Sequence, residues 1–275
     1  MIRPGVVSRS LLRRFRFEAD VLGRLQHPGI AQIYEAGEVT TDSGFQPYFA
    51  MEYVEGVELR QYAKQQGLGT RARLELIART CDAIHHAHQK GIIHRDLKPD
   101  NVLVVEEPAS TMAGEAAEFA ALGQPKVLDF GVARMTDSDI QMTTRRTDIG
   151  QLVGTLAYMS PEQVAGDSRL LDVRSDLYAL GVILYELLVG HPPFDVRHKS
   201  IPEAVRLIRE DEPTRLGSIN AAFRGDIDTI VSKALEKDPV HRYQSAAELA
   251  ADIRRYLANE PISAHPPSTF YQLRK

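Results

Sequence analysis

Apolar residues recur at steps of three and four along much of the chain, and this spacing predicts helices. In residues 11–25 the apolar positions Phe15, Ala19 and Leu22 share one face, arginines lie on the opposite side, and His27-Pro28-Gly29 ends the helix. The same pattern predicts helices at residues 70–90, 172–189, 202–209, 227–236 and 245–257. The stretch 172–189 is so strongly apolar that we expect it to be buried in the middle of its domain.

Shorter apolar runs predict strands. Residues 31–39 and 48–53 are typical of two strands, and the polar residues 40–46 between them predict a hairpin turn. Two more short strands are predicted at 101–105 and 126–128. The residues between them are rich in Ala, Glu, Ser, Thr and Gly, which indicates a solvated insertion.

Composition narrows the class of protein. The chain has 275 residues, 43% of them apolar, which suffices for one two-lobed domain or two small ones. Its single cysteine, Cys81, excludes an internal disulfide and fits a reducing, cytoplasmic compartment; we expect it to be a small core residue. The net charge of −4 gives no reason to expect nucleic-acid or membrane binding. The most apolar run, residues 178–190, is too short for a membrane span and carries Glu186.

Residues 94–101 read His-Arg-Asp-Leu-Lys-Pro-Asp-Asn and place several chemically useful groups in one short loop. Asp96 can accept a proton from an attacking hydroxyl, and Lys98 can neutralise charge on a moving phosphoryl group. Asn101 can hold a divalent metal through its amide oxygen. Phosphoryl transfer is catalysed mainly by positioning and electrostatics, so these are the groups that it needs.

This octapeptide resembles the catalytic loop of protein kinases, His-Arg-Asp-Leu-Lys-Pro-x-Asn in the Ser/Thr branch. Downstream, Asp129-Phe130-Gly131 resembles the family's metal-binding tripeptide, although by itself it could be a turn that caps a helix. Residues 154–162 resemble the end of a kinase activation segment, with Ser160 where Ala commonly stands. From about residue 13 to 257, the chain is similar to bacterial Hanks-type (eukaryotic-like) serine/threonine protein kinases.

The resemblance implies an α+β, two-lobed protein kinase fold. Residues 1–54 would form a partial N-lobe with the first helix and two strands. Residues 55–258 would form a mainly helical C-lobe with an insertion at 106–124, and 259–275 a linker-like tail. The implied reaction is transfer of the ATP γ-phosphate to Ser or Thr hydroxyls of proteins in signalling, with ATP and Mg²⁺ as cofactors. A second copy of the chain is a candidate partner for autophosphorylation.

The resemblance also assigns roles around the transferred phosphate. Asp96 would be the base and Lys98 would stabilise the γ-phosphate, while Asn101 and Asp129 would hold Mg²⁺. Thr155 resembles the residue that hydrogen-bonds the catalytic Asp and Lys in Ser/Thr kinases. Together with Lys98 it favours serine or threonine substrates over tyrosine.

Four residues are implied to surround the adenine ring. Met51 falls at the gatekeeper position, and the backbone of Glu52 and Val54 would meet the edge of adenine. Leu103 would form the floor beneath the ring. An ordinary apolar strand is the alternative at all four positions, and only the flanking motifs favour the nucleotide site.

Three further residues have implied structural roles. Glu162 would form a buried ion pair with Arg242. Asp176 would hold the backbone of the catalytic loop by accepting its amide hydrogen bonds, because an unpaired buried carboxylate would be costly.

Several histidines lie close together, namely His85, His86 and His88 on one helix and His94 after it. They suggest a metal cluster, but zinc needs four converging ligands and no cysteine or acidic pair supports such a site. We expect His94 to pack against Phe130, as the family's histidine does. Phe130 would in turn pack beneath the first helix, so that its position distinguishes active from inactive states.

Regulation by phosphorylation is implied by Arg95, which precedes the catalytic Asp in kinases that are switched in this way. A phosphate on the activation loop can pair with such an arginine. Thr143, Thr144 and Thr147 lie in the corresponding segment, next to two arginines. We expect phosphorylation there, at Thr147 first; a flexible polar loop is the alternative.

The chain departs from the family at its start. No Gly-x-Gly-x-x-Gly turn and no Val-Ala-Ile-Lys strand precede Glu18, which stands where the helix glutamate pairs with that lysine. We expect both elements to be encoded directly upstream, and a membrane anchor to follow residue 275 in the full-length protein. The alternative is a non-catalytic binding module of kinase shape. A small-molecule kinase is disfavoured by residues 154–162, which are typical of a peptide-binding ledge.

Overall fold

A computed structural model describes residues 22–23, 25–41, 44–106, 119, 122–130, 154–166 and 171–264. Of the predicted first helix, Leu22 and Gly23 are described as helical, and Leu22 and Leu25 are buried. Most of the predicted insertion and the last eleven residues of the predicted tail lie outside the described residues.

The predicted hairpin is present. Strand β1 (Ile33–Thr41) pairs antiparallel with β2 (Gly44–Met51), with Ile33 opposite Met51 and Thr41 opposite Gly44. The pairing extends well into residues 40–46, which the sequence pattern predicted as a turn. The difference arises because ladder hydrogen bonds join backbone groups and continue through polar residues.

A second, antiparallel sheet contains the other short strands, in the order β3 (Val57–Glu58), β4 (Val102–Val105) and β5 (Gln124–Val127). Ile30 forms a parallel bridge with Val127, which attaches the chain before β1 to this sheet. Both strands predicted from the sequence are confirmed with shifted ends. Asn101 belongs to a 3-10 turn rather than to β4, because its N–H donates to the Lys98 carbonyl at 3.0 Å instead of to a neighbouring strand.

The α-helices bounded within the described residues are α1 (Leu59–Gln65), α2 (Thr70–Gln89), α3 (Pro161–Ala165), α4 (Val173–Val189), α5 (Ile201–Glu210), α6 (Leu216–Ile219), α7 (Asp226–Ala234) and α8 (Ala246–Leu257). The five long helices predicted from residue 70 onward are confirmed, with ends within two residues. Helices α1, α3 and α6 escaped prediction because two turns or fewer carry too little periodicity.

The ends of α4 follow from two local signals. Asp172 precedes the helix and its carboxylate accepts a hydrogen bond from the Arg174 N–H at 2.8 Å. Gly190 ends the helix in a left-handed conformation, with φ of +91°, and donates its N–H to the Glu186 carbonyl. Both residues are of the types that favour those positions.

Helix α4 lies at the centre of the core. Every residue from Ser175 to Leu188 is buried, as the apolar run predicted. A Cβ atom on Gly181 would lie 2.8 Å from the Cβ of Ala234, so α4 and α7 approach closely only because residue 181 is glycine. Within the described ranges, no helix combines the length and the apolar character that crossing a bilayer requires.

Cys81 is fully buried on α2, as the sequence predicted for a core residue. Burial raises the pKa of its thiol, with a further increase from the nearby charge of Asp82. The thiolate form is therefore disfavoured.

The residues after α8 stay attached to it. The carboxylate of Asp252 accepts the N–H groups of Ser263 at 2.7 Å and Ala264 at 2.9 Å, and the Tyr243 hydroxyl at 3.0 Å. Ile262 is buried next to these contacts. The first residues of the tail thus follow the surface of the domain.

The ion pair predicted between Glu162 and Arg242 is present and buried. The Arg242 Nη1 and Nη2 atoms lie 2.7 and 2.8 Å from the two carboxylate oxygens, and Ser175 Oγ donates to Glu162 Oε1 at 2.8 Å. Burial alone would raise the pKa of Glu162, but the hydrogen bonds and charge of Arg242 hold it below its ordinary value. The remaining guanidinium hydrogens bind backbone carbonyls of residues 174, 236 and 237.

We expect Arg242→Met to lower the free energy of unfolding by about 3–5 kcal/mol, because it leaves the Glu162 carboxylate buried without its counter-charge. Urea unfolding at pH 7 measures the change. Arg197→Met is the matched control, since Arg197 pairs with Asp195 at the exposed surface and its loss should matter far less. Equal effects of the two substitutions would contradict the prediction.

The difference in free energy of unfolding between the wild type and Arg242→Met should become smaller at acidic pH. A carboxyl group with a lowered folded-state pKa stabilises the protein above its unfolded pKa, near 4.5 for Glu162, and this contribution is lost as the pH falls through the folded value. In Arg242→Met the buried carboxyl instead gains from protonation. The free energies of unfolding of the two proteins should therefore converge as the pH falls below about 4.5.

Candidate functional site

The loop of residues 94–101 is anchored to the core by one buried carboxylate. Asp176, in the first turn of α4 and 1% exposed, accepts the N–H of His94 at 2.8 Å and of Arg95 at 2.9 Å. His88 Nε2 on α2 lies 2.7 Å from Asp176 Oδ2. Burial alone would raise the pKa of Asp176, but these hydrogen bonds, first that of His88, lower it below its ordinary value. Asp176 thus accepts the backbone hydrogen bonds of the loop that the sequence predicted for it.

The backbone at Arg95 is strained. Its φ angle is +64°, a left-handed conformation that costs a residue with a side chain roughly 1–2 kcal/mol. Asp176 holds the N–H of Arg95, and the Gln163 side-chain amide donates to its carbonyl at 2.9 Å. The strain is maintained by contacts on both sides of the residue that precedes Asp96.

Asp96 contacts three other residues of the loop. Its N–H donates to His94 Nδ1 at 3.3 Å, and its carbonyl accepts from Asn101 Nδ2 at 2.8 Å. Lys98 Nζ is 3.8 Å from Asp96 Oδ2. The loop therefore brings together the carboxylate, the ammonium and the amide that the sequence singled out.

The segment that carries Asp129 is hydrogen-bonded to the same loop. The N–H of Leu128 donates to the Asn101 carbonyl at 2.8 Å, and His94 Nε2 donates to the Leu128 carbonyl at 2.8 Å. Asp129 follows with φ of +50° and an exposed side chain. The rings of His94 and Phe130 pack with their centroids 4.8 Å apart, as predicted.

His94 is held as a neutral imidazole. Its Nε2 carries the hydrogen that is donated to Leu128, and its Nδ1 accepts from the Asp96 N–H. Burial lowers the pKa of His94, and the charges of Asp176, Asp96 and Asp129 oppose this only in part. The last two carboxylates thus both act on the charge of one ring.

Asn101 and Asp129 suit a magnesium ion. A carboxylate and an amide oxygen are ligands of the kind that Mg²⁺ prefers. The Asn101 amide nitrogen is engaged by the Asp96 carbonyl, which leaves the oxygen as the ligating end. Among the described residues, no group of three or more His, Cys, Asp or Glu side chains forms a metal cluster, and His88 instead bonds Asp176.

The connector after β2, residues 52–56, is held to the residue before β1 and to β5. Met51 is the last residue of β2, and the N–H of Glu52 donates to the Gln32 carbonyl at 2.7 Å. The Glu52 carboxylate accepts from the Gln32 N–H at 3.1 Å and from Lys126 Nζ on β5. Burial alone would raise the pKa of Glu52, but these contacts lower it.

Further along, the connector passes close to β4. A Cβ on Gly56 would lie 3.0 Å from the Leu103 Cβ and 3.0 Å from the Val104 carbonyl oxygen, so a larger residue would fit here only if β4 shifted by a few tenths of an ångström. Val54 and Leu103 are both half-buried. The structure thus brings Leu103 next to the connector, and the adenine site remains a prediction.

Thr155, Tyr158, Met159 and Gln163 form one wall of a small cleft that Asp96 also lines. The Tyr158 hydroxyl donates to Glu186 Oε2 at 2.6 Å, and Arg60 Nη1 on α1 donates to Glu186 Oε1 at 2.8 Å. The hydrogen bonds predicted from Thr155 to Asp96 and Lys98 remain a prediction.

Sequence reasoning missed two residues that support the loop. The sequence could have indicated the capping role of Gln163, because Ser160 and Gln163 have the spacing of a capping box. It does not indicate the bond from Gln163 to Arg95. His88 carried no local signal, since its partner Asp176 is 88 residues away in sequence.

Other predicted residues lie outside the described part of the chain, namely Glu18, Gly131, Thr143, Thr144 and Thr147.

We expect Asp176→Asn to loosen the loop, because Oδ1 and Oδ2 each accept one of the two N–H groups and the amide nitrogen that replaces either oxygen would face a donor. Hydrogen exchange at those two amides should accelerate about tenfold, the value of one net hydrogen bond. Asp252→Asn is the matched control, because Asp252 is also buried and also accepts two N–H groups, those of Ser263 and Ala264. If both substitutions changed exchange at 94–95 equally, the anchor would not be specific.

The chain is similar to a known protein family and to several named proteins. A family model described as "Protein kinase domain" matches residues 5–252. The chain is 41% identical over 257 residues to the serine/threonine-protein kinase PknB of Mycobacterium tuberculosis, covering 93% of this chain and 37% of the relative. The Mycobacterium leprae PknB is 39% identical over 256 residues, with 93% and 38% covered. A probable serine/threonine-protein kinase PknB of Corynebacterium glutamicum is 35% identical over 251 residues, with 90% and 35% covered. The chain thus spans little more than a third of the length of these relatives.

Proposed function

Because this chain belongs to the protein kinase family, we propose that it transfers the γ-phosphate of ATP to serine or threonine hydroxyls of proteins. The observation that carries the proposal is the convergence of Asp96, Lys98 and Asn101 in one anchored loop, with Asp129 attached to it through Leu128. A scaffold of kinase shape would need none of these four polar side chains, so their joint presence supports an enzyme.

In this proposal each side chain has one task. Asp96 orients the acceptor hydroxyl and takes its proton, and Lys98, 3.8 Å from that carboxylate, neutralises charge on the transferred phosphoryl group. Asn101 and Asp129 would hold Mg²⁺, which would neutralise charge on the ATP phosphates. Leu103 would form the floor beneath adenine, Met51 would be the gatekeeper, and the backbone of Glu52 and Val54 would bind the edge of the ring.

The substrate class rests on two features. Lys98 in the loop and Thr155 in the facing wall favour a serine or threonine hydroxyl over tyrosine. The relatives named as serine/threonine-protein kinases support the same class. Proteins are the proposed acceptors, and we place the domain in the cytoplasm because ATP is available there.

Asp96→Asn should reduce phosphate transfer roughly 10²–10⁴-fold, because the amide keeps the size of the side chain but cannot accept the proton. Transfer of labelled phosphate from Mg-ATP to a general protein acceptor measures this. Asp211→Asn, at the exposed end of α5, is the control and should match the wild type. No transfer by the wild type, or equal transfer by wild type and Asp96→Asn, would refute the proposal.

Self-phosphorylation should add phosphate at Thr147, and then at Thr143 and Thr144. The exposed Arg95 supports this, because a phosphate on that segment can pair with its guanidinium. Intact-mass analysis followed by peptide mapping after incubation with Mg-ATP detects the added mass. Asp96→Asn protein incubated alone is the control, and wild-type protein without phosphate between residues 143 and 147 would contradict the expectation.

A further inference from the structure

The side chain of Gln163 joins two parts of the site. Gln163 is half-buried on α3, and its Nε2 donates to the Arg95 carbonyl at 2.9 Å. Its Oε1 accepts the N–H of Ser160 at 2.9 Å, and its own N–H donates to Ser160 Oγ at 3.4 Å. The two ends of one amide thus have separate partners, one in the catalytic loop and one at the start of α3.

The bond to Arg95 fixes a particular peptide plane. The plane between Arg95 and Asp96 has its carbonyl held by Gln163 and its N–H directed at His94 Nδ1. The plane before Arg95 is held by Asp176. Because φ of Arg95 is +64°, the backbone relaxes if either plane is released. Rotation of the second plane would turn Asp96 directly.

We propose that Gln163 is a positioning residue that sets the orientation of Asp96 by clamping the peptide plane before it. The segment 154–166, which carries Thr155 and Tyr158, is thereby coupled to the proton-accepting carboxylate through one amide. The inference rests on the proposed function, since the orientation of Asp96 affects rate only if Asp96 acts as the base.

Helix capping is the competing explanation for Gln163, and chemistry separates the two roles. Capping uses the oxygen of the amide, whereas clamping uses its nitrogen. Gln163→Glu retains an oxygen for the Ser160 N–H, and glutamate is itself favoured at this position of a capping box. The same substitution removes the donor and places a carboxylate oxygen against the Arg95 carbonyl.

The test compares Gln163→Glu with Ser160→Ala. Ser160→Ala removes the hydroxyl that accepts the Gln163 N–H but leaves the bond from Gln163 to Arg95. We expect Gln163→Glu to lower kcat about 3- to 10-fold, the value of one hydrogen bond, with KM for ATP unchanged. Ser160→Ala should lower the melting temperature and leave kcat unchanged.

Hydrogen exchange gives a readout that does not depend on catalysis. In Gln163→Glu, the amides of residues 95 and 96 should exchange faster than in the wild type, whereas those of 263 and 264, held by Asp252, should not change. Ser160→Ala should leave exchange at 95 and 96 as it is. A capping role alone would produce neither the kcat effect nor the exchange effect in Gln163→Glu.

Each outcome decides the matter. Wild-type kcat and exchange in Gln163→Glu would overturn the proposal, as would an equal loss of kcat in Ser160→Ala. If the wild type itself transferred no phosphate, the proposed function would fail, and exchange at residues 95 and 96 would then decide the clamp alone. Faster exchange in Gln163→Glu would support it, and unchanged exchange would overturn it.

Discussion

The site depends on the burial of one carboxylate at the start of the central helix. Helix α4 is apolar enough to be buried along its length, and Asp176 in its first turn is buried with it. A charge in that position must be fully hydrogen-bonded, because desolvation makes an unpaired carboxylate costly. His88 and the N–H groups of His94 and Arg95 meet this requirement. The position of the catalytic loop is therefore a consequence of core packing.

Polar contacts that point in different directions help to fix the segment 154–166, in addition to the burial of Leu156 and Ala157. Tyr158 reaches Glu186, Glu162 reaches Arg242, and Gln163 reaches the carbonyl of Arg95. Two of these contacts end on buried charges, where the low local dielectric strengthens hydrogen bonds. The wall of the cleft that faces Asp96 is thus attached both to the core of the domain and to the loop itself.

The sequence predicted most of the fold because the long helices are periodic over several turns. The ends of the hairpin were wrong by a few residues, since backbone pairing does not follow side-chain polarity. Asp176 and the pair of Glu162 with Arg242 were reached through the resemblance to kinases, because nothing in local pattern connects residues 80 positions apart. His88 stayed hidden for the same reason. The spacing of Ser160 and Gln163 could have indicated a capping box, but the bond from Gln163 to residue 95 depends on tertiary structure.

The buried thiol of Cys81 has a practical consequence. It is the only cysteine in the sequence, and burial together with its raised pKa keeps it from reacting with maleimides and iodoacetamides. A cysteine placed at an exposed position, such as Tyr53 in the connector, would be the sole labelling site. A fluorophore or spin label can therefore be attached at that one position without first removing Cys81, and its mobility would report on this part of the chain in solution.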